Sequence, residues 1–346
     1  MKPFVINTHY LAGSSPHNLL RILFKNNFNI SFRYIPRVFQ IFFATVLFYP
    51  FFILEKILFT NSINKTLLSH PPIFIIGHWR SGTTYMHNLV SQDSQFAYPT
   101  TYQCFMPGIF LTGKGFIKRV LTVLLPEKRP MDNVKLGADY PQEDEFAINA
   151  LCPYSFYEAL CFPKKTKIYF NEYALLETGK HELWKKYYNY FFKKIAYINN
   201  NKQIISKNPV NTVRIRELLA LYPGAKFIYL NRDREQVLNS TFNLYNKFLN
   251  LYSFQNFNAT ELEENLLWLY NKTIEAYQSQ KTFIAPKNLV EIEYQNLIEY
   301  PLAEIKGIYS KLELNGFENT KNRFIEYIAS QKSYKPNTEL FWKMKG

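Results

Sequence analysis

From residue 71 onward, short apolar runs alternate with longer stretches in which apolar residues recur every three to four positions. PPIFIIG (71–77), QIIS (203–206), AKFIYLN (225–231) and NLVEIEY (288–294) have the length and β-branched content of buried strands. Helical spacing follows the first run in SGTTYMHNLV and returns in residues 210–221, 233–247 and 261–278, with closing helices predicted over 302–312 and 321–328. Strands alternating with helices predict a parallel sheet with right-handed crossovers. The expectation is an α/β, three-layer fold with a central, mainly parallel sheet flanked by helices. Residues 94–200 have no clean period and are expected to carry ligand-facing helices and loops; no internal repeat is visible.

The first 70 residues read differently, and the chain divides into a basic, aromatic N-terminal helical segment (1–70) and an α/β domain (71–346). Val38 to Leu54 is a 17-residue run without charge, entered after Arg33 and Arg37 and left at Glu55 and Lys56. That is the lower edge of what spans a bilayer, and Pro50 is expected to kink or stop a helix there. Three readings fit: a membrane span, a basic-aromatic segment lying in the membrane interface through residues 20–60, or a buried helix. The run begins too deep for a usual signal peptide and lacks a small-residue cleavage site. Lys2, Arg21, Lys25, Arg33, Arg37, Lys56 and Lys65 face only Glu55 in this stretch. Over all 346 residues, 41 Lys+Arg against 27 Asp+Glu give +14, which suits an anionic partner. Tyr and Phe are spread along the whole chain rather than interleaved with Lys, and no nucleic-acid signature accompanies the charge, so nucleic acid is not expected. With 47% apolar residues, general disorder is excluded. Cys104, Cys152 and Cys161 match no metal spacing and make a poor disulfide set, which points to a reducing, cytoplasmic setting.

Gly77-His78-Trp79-Arg80-Ser81-Gly82-Thr83-Thr84 follows the first apolar strand and opens a helix. Its spacing overlays the phosphate loop G-x-x-x-x-G-K-[ST], with Thr83 in place of the lysine. Such a turn aims backbone N–H groups and the positive helix end at an anion, so the fold is P-loop-like. The missing lysine argues against triphosphate hydrolysis, while Arg80 supplies charge of a different geometry. The alternative is a plain strand–helix turn with a surface arginine. A second element narrows the choice: KFIYLNRDREQVLNS puts Arg232 directly after a strand and Ser240 two turns into the next helix. An arginine and a hydroxyl so placed can grip one phosphate from two sides, at the strand ends where doubly wound sheets bind ligands.

IFIIGHWRSGTTY and FIYLNRDREQVLNS resemble the two donor-binding elements of sulfotransferases, over roughly residues 70–340. Closest is the bacterial-type group with a P-Q-E-D-E-F stretch, here Pro141 to Phe146. SKNPVNTVRIRELLALYPGAKFIYLNRD and LVEIEYQNLIEYP are similar to further blocks of that family. The resemblance implies 3′-phosphoadenosine 5′-phosphosulfate as co-substrate, with no metal. It implies that Ser81, Gly82, Thr83 and Thr84 hold the 5′-phosphosulfate, and that Arg80 stabilises charge on the bridging oxygen. Arg232 and Ser240 would bind the 3′-phosphate, Tyr85 and Tyr294 would flank the adenine, and Lys207 would lie near the sulfuryl group. Lys332 and Lys335, in a basic C-terminal segment, would close over the nucleotide. The cytosolic enzymes' histidine base falls at Pro209 here, and their glycine-rich C-terminal loop is absent.

The acceptor's proton therefore needs another base. Glu143 and Glu145, in a rare acidic run, are the candidates, against the reading of a solvated helix start. His78 is the rival, whereas His87 falls on an apolar helix face and reads as a core histidine. The function expected is sulfuryl transfer to a hydroxyl of a lipid, glycan or small molecule, the aromatic content favouring a hydrophobic acceptor. A P-loop-type kinase or nucleotidase and a non-catalytic, membrane-associated anion-binding scaffold are the alternatives.

Overall fold

In the computed structural model, residues 9–129, 134–176 and 179–331 are described. Strands β1 (Ile73–Gly77), β2 (Phe96–Ala97), β3 (Gln203–Lys207), β4 (Lys226–Asn231) and β5 (Leu289–Glu293) form one sheet in the order β2-β3-β1-β4-β5. Every pairing in it is parallel, as the alternation of strand and helix requires. The apolar runs supplied β1, β3, β4 and β5. β2 is only two residues long and has no readable period.

The chain forms two compact units. One comprises Leu67–Tyr98, Ile195–Asn243 and Leu266–Gly346 and contains the sheet. All five residues of β1 are buried, as a strand flanked on both edges demands. Ile73, Ile75, Ile228 and Leu230 pack with Met86, Leu89 and Val90 of the helix Thr83–Val90. Ile305 and Ile308 of Pro301–Lys311, and Phe324 of Phe317–Gln331, complete this core. Each such side chain contributes about 1.5–3 kcal/mol by leaving water, so the first strand and its loop are held from several directions.

The other unit comprises Met1–Thr66, Pro99–Lys194 and Leu244–Asn265. Its longest element is the helix Ile35–Lys65, 31 residues that continue through Pro50. The stop expected at Pro50 does not occur, although a proline inside a helix costs about 3 kcal/mol. Pro50 is exposed, and the helix is fastened to its unit on the far side of the proline. There the buried Glu55 carboxylate accepts from the backbone N–H groups of Leu111 (2.7 Å) and Thr112 (2.9 Å). It also pairs with the ammonium of Lys194, which in turn donates to the Pro107 carbonyl. Val38, Ile41, Thr45 and Ile63 are the helix's other buried positions, and most of its remaining apolar side chains are exposed.

Candidate active site

Strand register builds the site. Gly77 lies opposite Leu230 on β4, and Asn231 lies opposite Glu293 on β5. The chain thus leaves β1 into the 78–82 turn, β4 into Arg232 and β5 into Tyr294 at neighbouring points on the sheet's carboxyl edge. Side chains 62 or more residues apart in sequence become adjacent because three parallel strands end together.

The turn is tight. Ser81 N–H and its hydroxyl both donate to the His78 carbonyl, at 3.2 and 2.8 Å. Gly77 has φ +142° and a Cβ there would lie 2.6 Å from the Leu230 carbonyl oxygen. Gly82 has φ +98°, and its Cβ would lie 2.5 Å from the Tyr294 ring, so that ring rests directly on the backbone at the helix start. Arg80, with φ 71°, holds a left-handed conformation that costs a non-glycine residue about 1–3 kcal/mol.

Arg80 Nε donates to Ser240 Oγ (2.8 Å), and Arg232 Nη1 donates to the Arg80 carbonyl (2.9 Å). The Arg232 guanidinium stacks 4.1 Å above the Tyr294 ring, so Arg80, Arg232, Ser240 and Tyr294 form one cluster on the 77–84 loop. Arg80 on the turn and Arg232 after β4 thus bring two cationic side chains to one place. The helix start at Thr83 adds backbone N–H groups of the same polarity.

Other predicted positions in this unit lie outside that four-residue cluster. Tyr85 sits on the helix Thr83–Val90 with its ring 6.0 Å from that of Tyr327, and burial raises its phenol to about 12. Lys207 ends β3 and is buried. His87 is a core histidine: burial, then the Lys207 cation, hold it well below the usual imidazole range. His78 is buried too, with Nδ1 2.9 Å from the Trp79 carbonyl, and burial pushes it down to about 4. A neutral imidazole of that basicity is a poor proton acceptor. Lys332 and Lys335 lie outside the described residues.

In the other unit the acidic run is buried rather than solvated. Asp144 and Glu145 open the helix Asp144–Leu151, with Glu143 just before it. Glu145 Oε1 accepts from Ser155 Oγ (2.7 Å) and Phe156 N–H (3.1 Å), and Asp144 Oδ2 accepts from Tyr188 Oη (2.7 Å). Glu143 Oε2 accepts from Tyr157 Oη. Glu143 is 8% exposed and Glu145 is 0% exposed.

Sequence reasoning missed two supports of the loop. Thr212 Oγ1 accepts from Gly77 N–H (2.8 Å) and donates to its carbonyl (3.1 Å), clamping the last residue of β1. Gln236 Oε1 accepts from Arg232 Nε and Nη2, at 3.3 and 3.1 Å, and so sets the plane of that guanidinium. Thr212 lies within the block matched to the family, but nothing in its spacing shows a contact made across 135 residues.

A parallel sheet with an anion cradle after its central strand, with one guanidinium in the loop and another from the next strand end, defines a nucleotide-binding protein of P-loop-like fold. The sequence profile of the sulfotransferase family matches residues 71–319, and the chain belongs to that family. It is therefore a sulfotransferase, and the family's sulfuryl donor is 3′-phosphoadenosine 5′-phosphosulfate. Among curated proteins, the omega-hydroxy-beta-dihydromenaquinone-9 sulfotransferases Stf3 of Mycobacterium bovis and Mycobacterium tuberculosis are each 33% identical over 287 residues. That alignment covers 82% of this chain and 73% of each relative. Among solved structures, sulfotransferase STF9 from Mycobacterium avium superposes with a TM-score of 0.65 at 18% identity, covering 82% of this chain and 73% of that one. Sulfotransferase STF1 from Mycobacterium tuberculosis gives 0.59 at 13% identity, covering 89% and 84%. These two likenesses are of fold.

Proposed function

We propose that this enzyme transfers the sulfuryl group to a hydroxyl of a hydrophobic, lipid-type acceptor reached at the cytoplasmic face of a membrane. The observation that carries the donor half is the convergence of Arg80, Arg232 and Ser240 on the Gly77–Thr84 loop. Two further observations support the acceptor half: the relatives named for a menaquinone-derived lipid, and the exposed apolar face of the helix Ile35–Lys65. Cys104, Cys152 and Cys161 are buried and form no disulfide, which is compatible with a reducing compartment.

In this reading the acceptor oxygen attacks sulfur, and adenosine 3′,5′-bisphosphate leaves. Backbone N–H groups of Ser81 to Thr84 bind the 5′ group. Arg80 stabilises the negative charge that grows on the departing oxygen, an electrostatic role in which one lost donor typically costs about 10²–10³ in rate. Arg232, oriented by Gln236, and Ser240 take the 3′-phosphate, while Tyr294 and Tyr85 stand on the adenine side. Lys207 is assigned to the sulfuryl oxygens. Glu143, the more exposed of the two candidate glutamates, accepts the acceptor's proton, whereas the bonds of Glu145 to Ser155 and Phe156 mark it as an anchor of its own turn.

Calorimetry with adenosine 3′,5′-bisphosphate, 5′-AMP and ATP tests the donor site. The bisphosphate is expected to bind tightest. Arg232→Ala is expected to weaken bisphosphate binding at least tenfold and 5′-AMP binding little, because only the first ligand carries a 3′-phosphate; equal loss for both removes the assignment. Glu143→Gln is expected to lower kcat about 10²–10⁴-fold with bisphosphate affinity unchanged. Retained turnover would return the base to another residue.

A further inference from the structure

The helical unit contains a cavity of about 880 Å³, within the usual range for small-molecule sites. Two helices line it without closing it. Ile41, Ala44 and Phe48 recur at helical spacing along Ile35–Lys65, and Ile117, Leu121 and Leu124 do so along Phe116–Leu124. Residues of both apolar stripes border the same space. Leu47 and Phe43, which also line it, are 57% and 70% exposed, so the cavity opens onto the same apolar surface that the long helix presents to solvent. At the start of the long helix its wall becomes polar, with Arg33, Arg37 and Gln40. Arg37 is held there by its own bonds to the carbonyls of Ser253 (2.7 Å) and Asn250 (2.9 Å). From Arg37 to Phe48 the stripe is about 16 Å long at 1.5 Å per helical residue.

We propose that this cavity holds the hydrocarbon chain of the lipid acceptor, entering from the exposed apolar face, with the polar part of the molecule toward Arg33 and Arg37. The inference rests on the lipid-acceptor reading above and deepens it. Most residues lining this space are apolar, so water inside it finds few bonding partners. A compact polar metabolite would leave the Ile, Leu and Phe walls unmatched. A flexible chain matches them, and the polar start of the long helix fixes which end of the molecule is inside.

The test uses the full-length protein and a hexadecanol carrying a diazirine near its methyl end, photolysed and read by peptide mass spectrometry. Adducts are expected on the Ile35–Lys65 and Phe116–Leu124 helices, competed by unlabelled hexadecanol and not by phosphatidylcholine vesicles. Ala44→Trp, which fills the space, is expected to cut this labelling at least tenfold while leaving adenosine 3′,5′-bisphosphate binding unchanged. Val120→Trp, on the partly exposed rim, is expected to do the same and stands alone if the first variant does not fold. Labelling that survives in a variant with intact bisphosphate binding overturns the proposal, as does labelling competed by phosphatidylcholine in place of the alcohol. Turnover separates this inference from the reading beneath it. If long-chain alcohols are sulfated and their KM is unmoved in both variants, the cavity assignment fails and the lipid reading stands. If no lipid alcohol is sulfated but the adducts and their loss are as expected, the cavity is a chain-binding site and the acceptor reading fails.

Discussion

His9 is fully enclosed and bonded as a neutral ring: its Nδ1 accepts from Leu11 N–H (3.2 Å), leaving Nε2 to donate to the Tyr252 carbonyl (3.1 Å). A second proton would sit on Nδ1, facing that N–H. Burial accordingly pushes His9 down to about 3 and His78 to about 4, against about 6.5 in an unfolded chain. Between those values the unfolded chain binds protons that the folded one refuses, so stability is full above pH 6.5 and falls as pH drops toward 4. Each histidine contributes a slope of at most about 1.4 kcal/mol per pH unit. Urea unfolding is expected to show a lower midpoint at pH 5 than at pH 7, and His9→Gln is expected to flatten the dependence by about one proton. An unchanged slope would show that His9 takes up its proton in both states. At this scale the sequence was half legible. Arg80, Arg232 and Ser240 stood out because their types and offsets match phosphate chemistry. Gln236 and Thr212 did not, because their roles exist only once strand register brings them to a partner.

At the level of elements, the apolar runs of β1, β3 and β4 were readable because each lies between turn residues and is largely buried, and β5, a half-exposed edge strand, was readable from its alternation of apolar and acidic residues. The helix His181–Ile198 was not, although Trp184, Tyr188, Phe191 and Ile195 mark its buried face. Tyr187 and Tyr190 put further aromatics on its other faces and blur the period. The long helix carries the sharper lesson, since its single acid reads from sequence as the point where an apolar run ends. In the structure Glu55 is the bolt that holds the helix to its unit. Glu55→Leu leaves the Lys194 ammonium buried without its carboxylate and is expected to cost about 3–5 kcal/mol. Adding Lys194→Met should recover most of that loss. Equilibrium unfolding in urea checks both, and an unrecovered double variant would assign the loss to the bonds with Leu111 and Thr112 instead.

For the whole molecule, the proposed membrane contact draws on the formal charge of +14 and the exposed phenylalanines of the long helix. In the proposed reading, cations would draw the protein to an anionic surface and apolar side chains would hold it there. Sedimentation with phosphatidylglycerol vesicles is expected to exceed that with phosphatidylcholine and to weaken with salt. Phe39→Ser with Phe43→Ser should reduce both by tenfold or more; unaltered binding would move the contact elsewhere. Composition showed this potential, but not that one face of the run belongs to the protein and the other to its surroundings, because that division needs Val38, Ile41 and Glu55 to find partners. The sheet order has a consequence for biosynthesis. β1 is translated first yet pairs with β3 and β4, which begin at Gln203 and Lys226. At roughly 5–20 residues per second, the segment Ile73–Gly77 waits on the order of ten seconds on the ribosome before either neighbour emerges. During that interval its five apolar-rich residues are a nascent edge open to aggregation, and chaperones have their strongest claim on this protein there.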